Sequence, residues 1–180
     1  MENKLGLTNI DARSIVSALQ TALAEEFNAW YAYVITAKFL KGNNHLEVEE
    51  AYMEFAEDEL EDHAYKLMER INQLGGAPLS VLSPDMWNKK ADHKYIIPNS
   101  QFDVIKSIDE NIKAEENAIE TYIKIEKLTR DKDVTTNDMI KHILADEQEH
   151  LQELKELRDS CLNNRSVRSN KFGGYLGLFK

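Results

Sequence analysis

The chain has 180 residues and a mass of 20.7 kDa, room for one domain with a single full core. It is 42% hydrophobic and 30% charged, as a globular protein is, and no apolar run reaches the roughly 18 residues of a membrane span. Its 32 acidic and 22 basic side chains give a net charge of −10, which disfavours nucleic acid as a partner and favours cations.

The charge is uneven. Residues 163–180 carry Arg165, Arg168, Lys171 and Lys180 and no acid, leaving 18 basic and 32 acidic groups in residues 1–162, a net of −14. An acidic body (1–162) and a basic C-terminal tail (163–180) are therefore expected, and only the tail leaves a DNA contact open. Cys161 is the single cysteine, which excludes an internal disulfide framework and a cysteine-cluster metal site. With no apolar leader at Met1-Glu2-Asn3-Lys4, a reducing, cytoplasmic setting is expected.

Segments 11–41, 43–74, 101–134 and 135–162 contain neither glycine nor proline. The first has a buried stripe at Ile15, Leu19, Ala22, Glu26, Ala29, Tyr33, Ala37 and Leu40, spaced three and four apart as on one helix face. Gly42 is placed to end it, and Asn44 with Glu47 has the spacing of a capping pair for the second helix, which Gly75 ends. All three prolines (Pro78, Pro84, Pro98) fall in the next stretch, a long crossover. Ser100 with Asp103 opens the third helix, whose stripe is Ile105, Ile108, Ile112, Glu115, Ile119 and Tyr122. Thr135 with Asp138 is expected to open the fourth, with its stripe at Ile140, Ile143, Glu147, His150, Leu154, Leu157 and Cys161. Each helix has on the order of 25–30 residues, or roughly 40 Å. Short links within the pairs one–two and three–four make two hairpins, joined by the crossover into an all-α four-helix bundle.

The stripes contain acids where the period demands core residues. A buried carboxylate without a partner costs several kcal/mol, so Glu26, Glu115 and Glu147 must share a compensating charge. His150 follows Glu147 by three residues and faces the same way. On the second helix the core histidine is His63, but Leu60 stands three residues before it. Asp146-Glu147-Gln148-Glu149-His150 matches Asp58-Glu59-Leu60-Glu61-Asp62-His63 if the second helix carries one extra residue, which a π-bulge can absorb. Glu59 and His63 are assigned on that basis, with Asp62 as a possible replacement ligand. Tyr33 follows Glu26 by seven residues, and Tyr122 follows Glu115 by seven. The result is a pseudo-twofold site of four carboxylates and two imidazoles, suited to iron or manganese. Glu26, Glu59, His63, Glu115, Glu147 and His150 are its expected metal-binding and catalytic residues, two ferrous ions being able to reduce oxygen or peroxide between them.

In these features the sequence resembles the ferritin-like superfamily, nearest to bacterioferritins and Dps-like ferritins. Ala24 to Tyr33, His63-Ala64 leading to Gln73-Leu74-Gly75-Gly76, Ile112 to Tyr122, and Asp146 to His150 resemble that family's four helices in turn, and the resemblance covers roughly residues 11–160. It implies a hollow homo-oligomer of twelve or twenty-four subunits. Such shells oxidise Fe(II) with O2 or H2O2 and store the ferric product, with two irons per subunit. Glu61-Asp62 offers no counterpart of the bacterioferritin haem-ligating Met, so haem is not expected. Some thiol-bearing Dps-like proteins place a cysteine pair near the metals, where this chain has Ala114. The alternatives are another di-iron or di-manganese enzyme of the peroxidase or catalase type, and a DNA-coating Dps-like shell.

Overall fold

The computed structural model describes residues 7, 9–78 and 98–175, with residues 9–10 and 165–175 described by backbone alone. Every element among them is helical. They are α1 (Asn9–Phe39), α2 (His45–Glu57), a π-helical segment (Asp58–Ala64), α3 (Tyr65–Gln73), α4 (Val104–Thr129) and α5 (Val134–Tyr175). The α2, π and α3 segments run on without a break, so the chain folds as four rods.

Contacts between rods fix the topology. Lys38 pairs with Glu49, Glu26 lies beside His63, and Gln20 donates to the Ala77 carbonyl, so α1 and the second rod are antiparallel. Arg158 meets Asp109 and Asn137 meets Glu126, so α4 and α5 are antiparallel too. Tyr33 reaches Glu115 while Tyr122 reaches Glu26, which sets α1 antiparallel to α4. The second rod and α4 therefore run in the same direction. The chain must leave α3 at one end of the bundle and enter α4 at the other, as the expected crossover requires. Pro84, Trp87 and His93 lie outside the described residues.

Local chemistry places the ends. Gly75 takes φ 78°, its N–H donating to the Asn72 carbonyl while the Gly76 N–H reaches Ile71. This paired closure satisfies the last carbonyls of α3, and glycine adopts the left-handed conformation without a Cβ penalty. Asn44 contacts Glu47 at 3.2 Å, but its side chain does not cap the α2 backbone. Ser100 Oγ accepts from the Phe102 N–H at 3.2 Å, and α4 begins after Asp103. The fourth helix opens two residues earlier than Thr135–Asp138 suggested. Asp133 Oδ1 accepts the Thr136 N–H at 3.1 Å, whereas Asp138 is exposed and pairs with Lys141. Arg70 clamps the same Asp133 carboxylate through Nη2 at 2.7 and 2.8 Å and donates through Nε to Thr136 Oγ1. That buried network ties the end of the second rod to the start of α5. α5 also continues to Tyr175, past residue 162, because no helix breaker intervenes before Gly173; the tail's basic side chains lie outside the described residues.

Two apolar clusters fill the bundle. One contains Ile15, Leu19, Leu23, Leu67, Ile71, Ile140 and Ile143, the other Leu40, Val48, Tyr52, Phe55, Ile108, Leu154 and Cys161. Each fully buried Leu or Ile contributes roughly 1.5–3 kcal/mol. Such packing lets the fold tolerate the polar layer that lies between the clusters.

Candidate metal centre

All four rods send acids into that layer. Glu26, Glu59, Glu115 and Glu147 are each at most 2% exposed, and His63 and His150 are buried beside them. The π-helical segment is what brings Glu59 in. The Tyr65 N–H bonds to the Leu60 carbonyl five residues back, so the wider turn carries one extra residue and aligns Glu59 with His63. His63 Nδ1 lies 3.1 Å from Glu59 Oε2, 3.3 Å from Glu26 Oε2 and 3.4 Å from Glu147 Oε1. Leu60 is only half-buried, and Asp62 points outward to Lys66 at 3.0 Å, so Asp62 is not part of the cluster.

The ligand atoms form two overlapping sets. Glu26, Glu59, His63 and Glu147 make one; Glu59, Glu115, Glu147 and His150 make the other. Within each set the atoms lie within 4.8 Å of one another, and Glu59 and Glu147 belong to both. The expected pseudo-twofold arrangement is thus present in side-chain positions, with the imidazole rings 5.9 Å apart.

A surrounding layer holds the ligands in place. Tyr33 donates its phenol hydrogen to Glu115 Oε1, and Tyr122 donates to Glu26 Oε1, so each tyrosine reaches across to the other hairpin's acid. His150 Nε2 lies 3.2 Å from Asp58 Oδ2, and His63 Nε2 lies 3.5 Å from Asp146 Oδ2. The Asp58 carboxylate at the far nitrogen of His150 fixes that ring's orientation and leaves its near nitrogen as the electron-pair donor. These two aspartates are the neighbours of the cluster that the sequence reading did not assign. The available signal is that each immediately precedes a buried glutamate, as Asp58-Glu59 and Asp146-Glu147.

Electrostatically the layer is short of positive charge. Burial, reinforced by the neighbouring Glu147 and Glu26 charges, pushes the Glu59 carboxyl well above the ordinary range. Burial and the Glu147 charge do the same for Glu115, and burial with the Glu26 charge raises Glu147. At Glu26 burial also acts upward, but hydrogen bonds from Glu59, His63 and Tyr122 outweigh it and hold this carboxyl low. Burial disfavours the His63 cation, yet the Glu147, Glu26 and Glu59 carboxylates around it prevail and raise its pKa. One imidazolium cannot balance four carboxylates. Glu115 Oε2, both Glu147 oxygens, His63 Nε2 and His150 Nδ1 are buried without a hydrogen-bond partner. Buried polar atoms are rarely left so, and a cation in the layer would satisfy the glutamate oxygens and His150 Nδ1, whereas His63 Nε2 faces outward to Asp146. The donor set is oxygen-rich with one imidazole per half and no thiol, which fits iron or manganese.

The ferritin-like domain family matches residues 16–161. The chain belongs to the ferritin-like family. Among solved structures it is 34% identical to a dodecameric thioferritin, the bacterioferritin-related protein of Bacteroides fragilis, covering 93% of each chain at a TM-score of 0.78. A Desulfovibrio desulfuricans bacterioferritin with a di-iron site is 22% identical, over 86% of this chain and 83% of that one, at a TM-score of 0.71. A Dps protein of Vibrio cholerae is 17% identical, over 86% and 94% of the two chains, at a TM-score of 0.75. No curated protein matches the sequence. Against the ferritin-like background, Cys161 is buried in the apolar cluster around Tyr52 rather than in the acid layer. No helix among the described residues is long and apolar enough to cross a membrane.

Proposed function

We propose that this ferritin-like protein oxidises Fe(II) to Fe(III) at the dinuclear carboxylate–histidine layer and stores the product within a homo-oligomeric shell. The observation that carries this reading is the pair of four-residue sets sharing Glu59 and Glu147, with Glu115 Oε2, both Glu147 oxygens and His150 Nδ1 buried and unpartnered. Glu26 and His63 would hold one ion, Glu115 and His150 the other, and Glu59 and Glu147 both. Two iron ions bound there supply one electron each to a small oxidant, dioxygen or hydrogen peroxide. Manganese is the alternative metal, and no haem is assigned.

The protein's own part is to position and to neutralise. Tyr33 and Tyr122 hold one oxygen of each terminal carboxylate, so the other oxygen is aimed inward. Asp58 keeps the His150 Nδ1 turned to the layer, and Glu59 and Glu26 beside Nδ1 do so for His63. Glu59, Glu115 and Glu147, raised in pKa in the metal-free protein, release protons as cations enter. The dodecameric assembly described for the Bacteroides relative, and the net charge of −10, support a closed shell that attracts cations. The test combines assembly mass by light scattering with aerobic iron loading. Ferric iron retained well beyond two per chain on a large assembly is expected; a monomer that oxidises iron but retains none would refute storage.

A further inference from the structure

The second rod carries one residue more than a plain α-helix needs between two anchored ends. On the N-terminal side Tyr52, Phe55 and Ala56 are buried; the Tyr52 hydroxyl lies 3.0 Å from Ser107 Oγ, and the Phe55 ring centre 4.7 Å from that of His150. On the C-terminal side His63, Leu67, Arg70 and Ile71 are buried, and Arg70 is clamped to Asp133. Between these ends the π turn holds the extra residue, the Tyr65 N–H reaching back to the Leu60 carbonyl. Neither anchor dictates where between them the wide turn must sit.

Its place decides which side chain enters the layer. With the wide turn at Asp58–Ala64, Glu59 is buried there, Leu60 is half-buried and Glu61 is exposed. With the wide turn one helical turn earlier, beside Phe55, the stretch 58–61 advances by one place. The Tyr65 N–H then takes the Glu61 carbonyl in an ordinary α-helical bond, and no backbone donor is orphaned. Leu60 replaces Glu59 in the layer, at the spacing from His63 that Glu147 has from His150, and Glu59 replaces Asp58 beside His150 Nε2. In this second register Glu59-Leu60-Glu61-Asp62-His63 matches Asp146-Glu147-Gln148-Glu149-His150. Acid stands for acid at the first and fourth places, and leucine for glutamate at the second.

Resting on the dinuclear reading above, we propose that the second rod exchanges between these two registers, cations holding Glu59 in the layer and their loss letting Leu60 take its place. Each register suits one state of charge. Without cations, withdrawing Glu59 takes one of four crowded carboxylates out of the layer and buries an apolar side chain instead, which is the favoured exchange. With cations, Leu60 offers no ligand, and only the register of the structure supplies the Glu59 oxygens common to both sets. A ligand that binds one of two states draws the population to it. The shift is confined to residues 57–61, because Phe55 and His63 stay with their anchors on either side.

The experiment uses the full-length protein and two readouts. In the first, Co(II) is titrated by absorbance into Glu59→Leu and into the exchange variant Glu59→Leu with Leu60→Glu. Glu59→Leu should bind the pair of ions about tenfold or more weakly than the unmodified protein. The exchange variant brings its glutamate into the layer only through the second register, and should recover to within about threefold. Recovery no better than Glu59→Leu alone overturns the proposal, and so does a Glu59→Leu that binds as the unmodified protein does. In the second readout, which needs no variant to fold, the Leu60 methyl groups of the unmodified protein are followed by NMR. Nuclear Overhauser contacts from them to the His150 ring are expected without metal and should vanish on loading with Zn(II). Their absence without metal overturns the exchange of registers, as does their persistence with Zn(II). An unmodified protein that binds no pair of Co(II) refutes the dinuclear reading itself, whereas full binding with no Leu60 contact refutes the second register alone.

Discussion

Glu147→Leu should make the metal-free protein more stable while removing its response to metal. Glu147 is 1% exposed, and neither of its oxygens has a hydrogen-bond partner. Each unpartnered buried polar group costs about 1–3 kcal/mol, and replacing buried charge with apolar groups of similar volume often gains about 1–4 kcal/mol. His63 loses its 3.4 Å contact with Glu147 but keeps those with Glu59 and Glu26, so no new orphan charge is created. A net gain of about 2 kcal/mol follows, and for a chain of this size each kcal/mol shifts the melting temperature by roughly 2–4 °C. In the unmodified protein, metal at about a hundred times its Kd adds about 2.7 kcal/mol per site. The variant lacks a residue common to both ligand sets and should lose most of that. Differential scanning calorimetry of chelator-treated protein, with and without Co(II), reads both effects at fixed protein concentration. A variant that melts lower without metal, or keeps the full metal-induced shift, would refute the account.

Asp133→Ala should be among the most damaging changes outside the centre. It strands a buried Arg70 guanidinium, at about 3–5 kcal/mol, and removes the cap of α5, at about 0.5–2 kcal/mol; combining it with Arg70→Met should recover most of the loss in urea unfolding. Metal-free stability should fall as pH rises above the ordinary Glu value of 4.5, because Glu59, Glu115 and Glu147 are raised in the folded state and their favourable protonation is lost through those raised values. Metal-loaded protein should show the opposite slope over the same window, since protons compete with the metal; melting curves across pH with and without Co(II) check both signs. Tyr33→Phe removes the donor from Glu115 Oε1 and should lower metal-free stability by about 1–3 kcal/mol while leaving two Co(II) per chain in a spectroscopic titration.

The four rods were legible because the strong helix breakers cluster at a few places and the stripes between them keep one period. The meeting of Glu26, Glu115 and Glu147 was legible because acids occupied core positions in register on separate helices. Glu59 needed one more step. Its spacing to His63 is wrong for the pattern Glu147 makes with His150, and only the internal comparison of Asp58–His63 with Asp146–His150 exposed the extra residue that the π turn absorbs. Asp133 was missed because Thr135 and Asp138 mimic a capping pair in local sequence. What selects Asp133 is Arg70, 63 positions earlier in the chain and visible only once the rods pack. Asp58 and Asp146 were in plain view, but an acid on a helix surface reads as a solvated charge until the ring beside it is placed.

Anaerobic titration of the metal-free protein with Fe(II), followed by exposure to oxygen or peroxide, tests the central claim most directly. The overlapping ligand sets predict two Fe(II) bound per chain and rapid formation of ferric absorbance. One Fe(II) per chain, or none, with slow oxidation, would contradict a dinuclear centre built on Glu59 and Glu147.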